Sequence, residues 1–294
     1  MASLSQWVAG ARPRTLPAAV APVVLGTAAA HLLGRADAAL GILALVVALA
    51  LQVGVNYAND YSDGIRGTDE ARVGPVRLVG QRLAAPTNVK LAALLSFAAA
   101  GIVGLALVAL SGAWIMLPLG GLAVLAAWRY TGGDNPYGYR GLGEVYVFVF
   151  FGLMATLGTQ YTQADAVTWF GLLGAVGVGA VASAILVANN LRDIPTDTEH
   201  GKRTLAVRLG DRRTRVLYTG LVGVSVLTLV GMAFWEPWVL LGLLALPLAL
   251  KGVRTVASGT TGRDLVPVLA ATGLYEVAYA VLAALGVVIG VALA

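Results

Sequence analysis

Two segments concentrate the oxygen ligands of this chain. NYANDYSDGIRGTDEARVGPVR, residues 56 to 77, sets Asn56 four residues before Asp60, with Asp63 following; NNLRDIPTDTEHGKRTLAVRLG, from residue 189, repeats the pattern with Asn189, Asp193 and Asp197. On a helix, residues four apart stack about 6 Å from each other on one face, so each segment should present a column of oxygens. Ligands of this kind, in a chain with no cysteine, suit a hard cation. Mg²⁺ is commonly held by one or two carboxylates while phosphate oxygens and water complete its octahedron. Two acidic columns facing each other would repel if empty, and bound divalent ions remove that cost and create a site for a diphosphate. Arg66, Arg72 and Arg77 follow the first column and Lys202 and Arg203 the second. These are the candidate contacts to phosphate. Zinc is disfavoured, because His31 and His200 are widely separated and read as an interfacial and a loop residue.

The elements that carry these columns are membrane helices. The chain has 294 residues, 58% of them hydrophobic and 12% charged, with a mean hydropathy of +0.81, well outside the range of soluble domains. Runs long enough to cross roughly 30 Å of hydrocarbon recur. The expected spans lie near 16 to 34, 38 to 58, 88 to 110, 113 to 130, 142 to 162, 167 to 190, 214 to 233, 236 to 250 and 265 to 290. The eighth is interrupted by Pro247. A β-barrel would show alternating segments of about 10 residues, which these continuous runs are not. The expectation is therefore an all-α membrane protein of about nine helices, forming a single polytopic domain over residues 1–294. Pro13, Pro17 and Pro22 thread the first run, and no exportable domain follows it, so it reads as a retained span and not as a signal peptide.

Charge fixes the expected orientation. With a cytoplasmic N-terminus and nine spans, every Lys and Arg except Arg35 falls on the cytoplasmic side. The loops 59 to 87 and 191 to 213 are then cytoplasmic and the C-terminus lies outside. The same bias accounts for many of these basic residues without any ligand, so for Arg72 and Lys202 both readings stand, while Arg82, Arg212, Arg213 and Arg215 read as topology alone. A pI of 9.6 reflects short loops between spans and calls for no nucleic acid. With no cysteine, the redox compartment is not readable.

A third loop, WRYTGGDNPYGYRGLGE, residues 128 to 144, has the residues to hold an aromatic acid, Tyr130 by stacking and Arg140 by a charge-assisted bond to its carboxylate. Tyr137 and Tyr139 read as an interfacial aromatic belt. Glu276 lies several turns into the last run. A carboxylate at that depth should face the bundle interior, and a hydrogen bond to a neighbouring span is expected.

These motifs, with ARPRTLPAAVAPVVLGTA near the start and YRGLGEVYVFVFFG in the middle, resemble the UbiA superfamily of intramembrane aromatic prenyltransferases over nearly the whole chain. GPVR and GKRTLAVRLG incline the resemblance toward the branch that prenylates 1,4-dihydroxy-2-naphthoate, the MenA branch. The resemblance implies a nine-helix bundle under a cytoplasmic cap, with Mg²⁺, two ions, bridging the diphosphate. It matches Asn56, Asp60 and Asp63 to the first metal and diphosphate motif and Asn189, Asp193 and Asp197 to the second. Where many relatives carry a further acid the chain has Gly67, with Asp69 two residues on. The implied reaction transfers a polyprenyl group from its diphosphate to dihydroxynaphthoate with loss of CO2 and diphosphate, giving demethylmenaquinone, with both lipid substrate and product held in the bilayer. Another aromatic acceptor such as 4-hydroxybenzoate is the alternative within the superfamily. A secondary transporter is the alternative outside it, although its carboxylates would lie near the midplane and not at span ends.

Overall fold

A computed structural model describes residues 2–67 and 76–294. A short helix α1 (Leu4–Gly10) is started by a capping box in which Ser3 and Gln6 satisfy each other's backbone N–H groups. Nine apolar helices follow among the described residues. Seven are long enough to cross a bilayer: α3 (Ala38–Ile65), α4 (Pro86–Ser111), α6 (Gly143–Ala164), α7 (Trp169–Glu199), α8 (Leu205–Met232), α9 (Pro237–Ala257) and α10 (Gly262–Leu293). Two are shorter, α2 (Pro17–His31) and α5 (Met116–Arg129).

Helix ends follow local chemistry. Asp37 accepts the N–H groups of Ala39 and Leu40 to open α3, and Thr168 accepts that of Gly171 to open α7. Pro86 occupies the first turn of α4, and Gly112, at φ 72°, ends it. The eighth run is resolved by its proline: Pro237–Ala245 winds as a 3₁₀ helix, and Pro247 then sits in the first turn of the α-helical part, where its missing N–H is harmless. Gly210, at φ 74° and ψ 172°, breaks α8 after its first turn. That break separates the basic segment 202–208 from the apolar span expected to begin at 214.

Burial is graded across the bundle. α7 has 72% of its apolar window enclosed and α3 only 17%, so α7 is the central post. The main core joins α2, α7, α8, α9 and α10. Hydroxyls bridge α8 and α10 through it, Tyr218 with Thr272 at 2.7 Å, Ser225 with Tyr275 at 2.8 Å and Thr228 with Tyr279 at 3.0 Å, which is how polar groups join helices in lipid. Glu276 lies in the same helix, fully buried, and neither carboxylate oxygen has a partner among the described residues. The hydrogen bond expected of it to a neighbouring span is not made. Large apolar side chains such as Ile102, Leu110 and Leu227 stand 70% or more exposed, as a lipid-facing perimeter requires.

The acidic segments are helical, as the columns require, and the helices run past the span ends expected at 58 and 190. α3 runs on to Ile65 and α7 to Glu199, so both columns end long helices. Since α3, α5 and α7 end, and α4, α6 and α8 begin, at the same face of the bundle, the polar segments gather there. α6 contains a wide, π-type turn over Phe148–Met154. There Gly152 lies against Gly179 of α7, and a Cβ on Gly152 would fall 2.5 Å from the Gly179 Cα, so only glycine permits this approach.

Candidate active site

A cavity of about 1330 Å³ opens among α2 to α7 and the start of α10 beneath the polar loops. Its polar end is lined by Arg12, Arg14, Gln52, Asn56, Asn59, Asp63, Arg77, Asn189, Asn190, Arg192, Asp197 and Lys202, with Tyr130, Tyr137 and Tyr139 on one wall. Its other end is apolar and is walled by Val47, Leu105, Leu107, Met116, Leu117 and Met154, among others. Leu105 and Leu117 are themselves 53% and 40% exposed, so this wall reaches the lipid face between α4 and α5.

The two motifs do meet, though not through every residue. Asp63, 2% exposed, is the hub: Tyr139 Oη donates to its Oδ1 at 2.6 Å, and Lys202 Nζ lies 3.4 Å from its Oδ2. One carboxylate thereby ties α3 to the loop before α6 and the loop after α7. Lys202 also stands 4.5 Å from the centre of the Tyr139 ring. Tyr139 lines the cavity, and its reading as part of an interfacial belt is corrected by these contacts. Asp197 and Asn189 reach the same cavity from α7.

Asp60 is placed differently. It is fully buried and absent from the cavity lining. Its Oδ2 accepts the Leu78 N–H at 2.7 Å and its Oδ1 the Val79 N–H at 3.0 Å, so the carboxylate holds the loop that carries Arg77. Asp193 is likewise off the lining, gripped through both oxygens by Arg192 at 2.7 Å. Arg192 also donates to the Asn189 Oδ1 at 2.8 Å. Topology alone accounted for Arg192 in the sequence; its position directly before an acid in the second motif was the available signal.

Asn56 lines the cavity while its Nδ2 donates to the Ala11 carbonyl and the Thr15 hydroxyl, both at 2.9 Å. Of the proposed phosphate contacts, Arg77 and Lys202 are at the site. Arg66 is an exposed residue that donates to the carbonyls of Thr131 and Gly133, so it fastens the third loop and does not line the cavity. Arg203 is exposed outside the cavity, and its backbone N–H donates to the Tyr139 carbonyl at 3.0 Å. Arg72, like Asp69, lies outside the described residues. Arg12 and Arg14, read only as topology, belong to the lining.

For the acceptor, Tyr130 borders the cavity and Arg140 does not. Arg140 ends a 3₁₀ turn with its side chain exposed, because Gly141, at φ 75°, redirects the chain before α6 begins. Arg140→Ala should therefore leave the apparent KM for an aromatic acid substrate within about twofold of wild type, as expected for a solvated surface charge; steady-state kinetics with varied acceptor checks this. Tyr137 donates to the Ala126 carbonyl at 2.9 Å and stacks on Tyr146 at 3.7 Å. Burial, with Tyr130 and Tyr146 beside it, pushes its phenol well above the usual tyrosine range, so it stays a neutral donor.

The donor set fits a hard cation. Asp63 and Asp197 supply carboxylates and Asn56 an amide oxygen at one cavity, with no cysteine in the chain and no histidine in the lining. Among the described residues no three acids or histidines cluster as a ready cage.

Comparison with known proteins adds to this geometry. The model of the UbiA prenyltransferase family matches residues 19–266. The 1,4-dihydroxy-2-naphthoate octaprenyltransferase of Mycobacterium tuberculosis is 59% identical over 281 residues, covering 95% of this chain and 96% of that one. The Escherichia coli enzyme of the same name is 40% identical, covering 85% and 84%. Among solved structures, a UbiA homolog from Archaeoglobus fulgidus bound to GPP and Mg2+ superposes with a TM-score of 0.69 at 13% identity, over 98% of both chains.

Proposed function

The chain belongs to the UbiA prenyltransferase family, and from that premise we propose that Asp63 and Asp197 are the carboxylates that serve its chemistry. The enzyme transfers a polyprenyl group from an allylic diphosphate to 1,4-dihydroxy-2-naphthoate, with loss of CO2 and diphosphate, in the pathway to demethylmenaquinone. The observation that carries this reading is the single cavity in which both acidic motifs meet over an apolar compartment.

The residues divide the work by chemistry. Lys202, Arg77 and Arg192 bring positive charge to the polar end, where the diphosphate belongs. Tyr130 offers an aromatic face for the acceptor ring. The apolar compartment takes the tail, whose burial is favourable by about 0.8 kcal/mol per methylene, and its lipid-facing wall admits a substrate that never leaves the bilayer. Asp63, Asp197, Asn56 and Asn189 are the ligands available to Mg²⁺, with one carboxylate from each helix for the expected pair of ions. When bound, Mg²⁺ neutralises charge on the departing diphosphate. The allylic C–O bond breaks with its electron pair leaving on diphosphate. The new C–C bond forms at the ring carbon that carries the carboxylate, and the electrons of the carboxylate bond return to the ring as CO2 departs. No proton need be removed from carbon, so the site requires no strong general base, in keeping with its lack of histidine. The positive-inside bias supports a multi-pass orientation with the site and the N-terminus cytoplasmic and the C-terminus outside.

The test is direct. Purified protein, Mg²⁺, polyprenyl diphosphates of graded length and dihydroxynaphthoate should give a prenylated, decarboxylated product by mass spectrometry. Failure at every chain length, or turnover of 4-hydroxybenzoate instead, overturns the assignment. Chelation with EDTA should abolish turnover and added Mg²⁺ restore it. Full activity in EDTA would remove the metal from the mechanism.

A further inference from the structure

We propose that Gln52 recognises a phenolic hydroxyl of the aromatic acceptor, placing the acceptor subsite one helical turn deeper than Asn56. The inference builds on the reaction proposed above and concerns a residue that neither acidic motif contains.

Its basis is an amide with one end fixed and the other unsatisfied. Gln52 is 6% exposed and lines the cavity. Its Nε2 donates to Thr15 Oγ1 at 2.8 Å, and its Oε1 is buried with no partner among the described residues. The hydrogen-bond network determines which end is which. A carbonyl only accepts, so the Asn56 atom bonded to the Ala11 carbonyl is Nδ2. The same Nδ2 donates to Thr15 Oγ1. Thr15 has one hydroxyl hydrogen, which goes to the Arg12 carbonyl at 2.9 Å. With its hydrogen on the Arg12 carbonyl, Thr15 Oγ1 accepts from both neighbours, and the Gln52 atom facing it is the nitrogen. The oxygen is left as a buried acceptor without a partner among the described residues, on a side chain that lines the cavity.

A buried acceptor without a donor is costly, and a ligand that brings a donor relieves the cost. The two substrates differ in this respect. An ionised polyprenyl diphosphate has only acceptor oxygens at its head and no polar hydrogen in its tail, whereas dihydroxynaphthoate carries two phenolic O–H groups. Only the acceptor matches Gln52. The position agrees: a rise of 1.5 Å per residue puts Gln52 about 6 Å from Asn56 along α3, on the side of the apolar compartment. There the ring would lie beside the carbon from which diphosphate departs. The segment opposite is held firmly. Arg12 adopts the left-handed conformation, φ 54° and ψ 66°, unusual for a side chain of its size. The Thr15 hydroxyl and the Thr15 backbone N–H both bond its carbonyl.

The experiment crosses ligand with variant. In wild-type protein, inhibition constants are measured for 1,4-dihydroxy-2-naphthoate analogues that keep the carboxylate, with either the 1-hydroxyl or the 4-hydroxyl replaced by hydrogen. One of the two should bind about tenfold more weakly than the analogue bearing both hydroxyls, the size expected for one lost buried hydrogen bond. In Gln52→Met that difference should vanish, with the apparent KM for the prenyl diphosphate unmoved. Equal binding of both analogues to wild type overturns the proposal and needs no variant to fold. Persistence of the tenfold difference in Gln52→Met overturns it as well. Parallel rises in both substrates' KM values, insensitive to the hydroxyl, would assign Gln52 a purely structural role. Failure of the overall reaction reading looks different, since wild type would then form no product from dihydroxynaphthoate at all.

Discussion

Asp63→Asn should lower turnover by about a thousandfold or more while the protein still folds. The expected size follows from removing a ligand and a negative charge where ions and diphosphate meet, an effect worth several kcal/mol of transition-state stabilisation. The substitution keeps an oxygen for Tyr139, 2.6 Å away, but leaves Lys202, 5% exposed, without its carboxylate partner. Breaking a buried pair on one side is itself destabilising by about 3 to 5 kcal/mol, so stability and chemistry must be separated. The double variant Asp63→Asn/Lys202→Met removes the stranded charge. Its melting temperature should recover toward wild type while turnover stays absent. Recovery of activity together with stability would show that Asp63 acts only as a structural tie. Single-variant turnover within tenfold of wild type would exclude it as a ligand.

Asp60→Ala should fail for another reason. Its carboxylate holds the N–H groups of Leu78 and Val79, and hydrogen bonds to a charged group contribute about 1.5 to 3 kcal/mol each. Losing them frees the loop that seats Leu78 in a small core with Tyr57, Val89 and Phe97 and presents Arg77 to the cavity. A loss of about 3 kcal/mol in stability and about a hundredfold in kcat/KM is expected, expressed mainly as a higher KM for the prenyl diphosphate. Arg77→Ala should show the same KM effect, and combining the two should add little, because both remove one positioned guanidinium. Additive effects, with Asp60→Ala lowering kcat as Asp63→Asn does, would instead make Asp60 a ligand as its spacing suggests.

The contrast between these aspartates follows from helix geometry. At about 100° per residue, Asp60 is turned about 40° from Asn56, whereas Asp63, seven residues on, is turned only about 20° the other way. The i+4 rule selects neighbours along a helix but not the one that best shares a direction. On α7 the neighbour decided the matter: Arg192 engages both oxygens of Asp193, and Asp197 beyond it reaches the cavity. Arg66, Arg203 and Arg140 carry the right charge in the right loops, yet backbone turns aim them at carbonyls or at water.

What the sequence determined alone is what local chemistry controls. Hydropathy located the apolar helices seen among the described residues, because each must satisfy its own backbone in lipid and so needs a continuous run. The composition of the two motifs pointed to oxygen ligands and a diphosphate, and their residues resembled one family along nearly the whole chain. Only the tertiary structure decided which oxygens face one another. That choice depends on the rotation of α3 and α7, on Tyr139 and Lys202 arriving from separate loops, and on the N-terminal segment turning the amide of Gln52. Each contact joins residues tens to more than a hundred positions apart, and no periodicity within one helix encodes the partner it will meet.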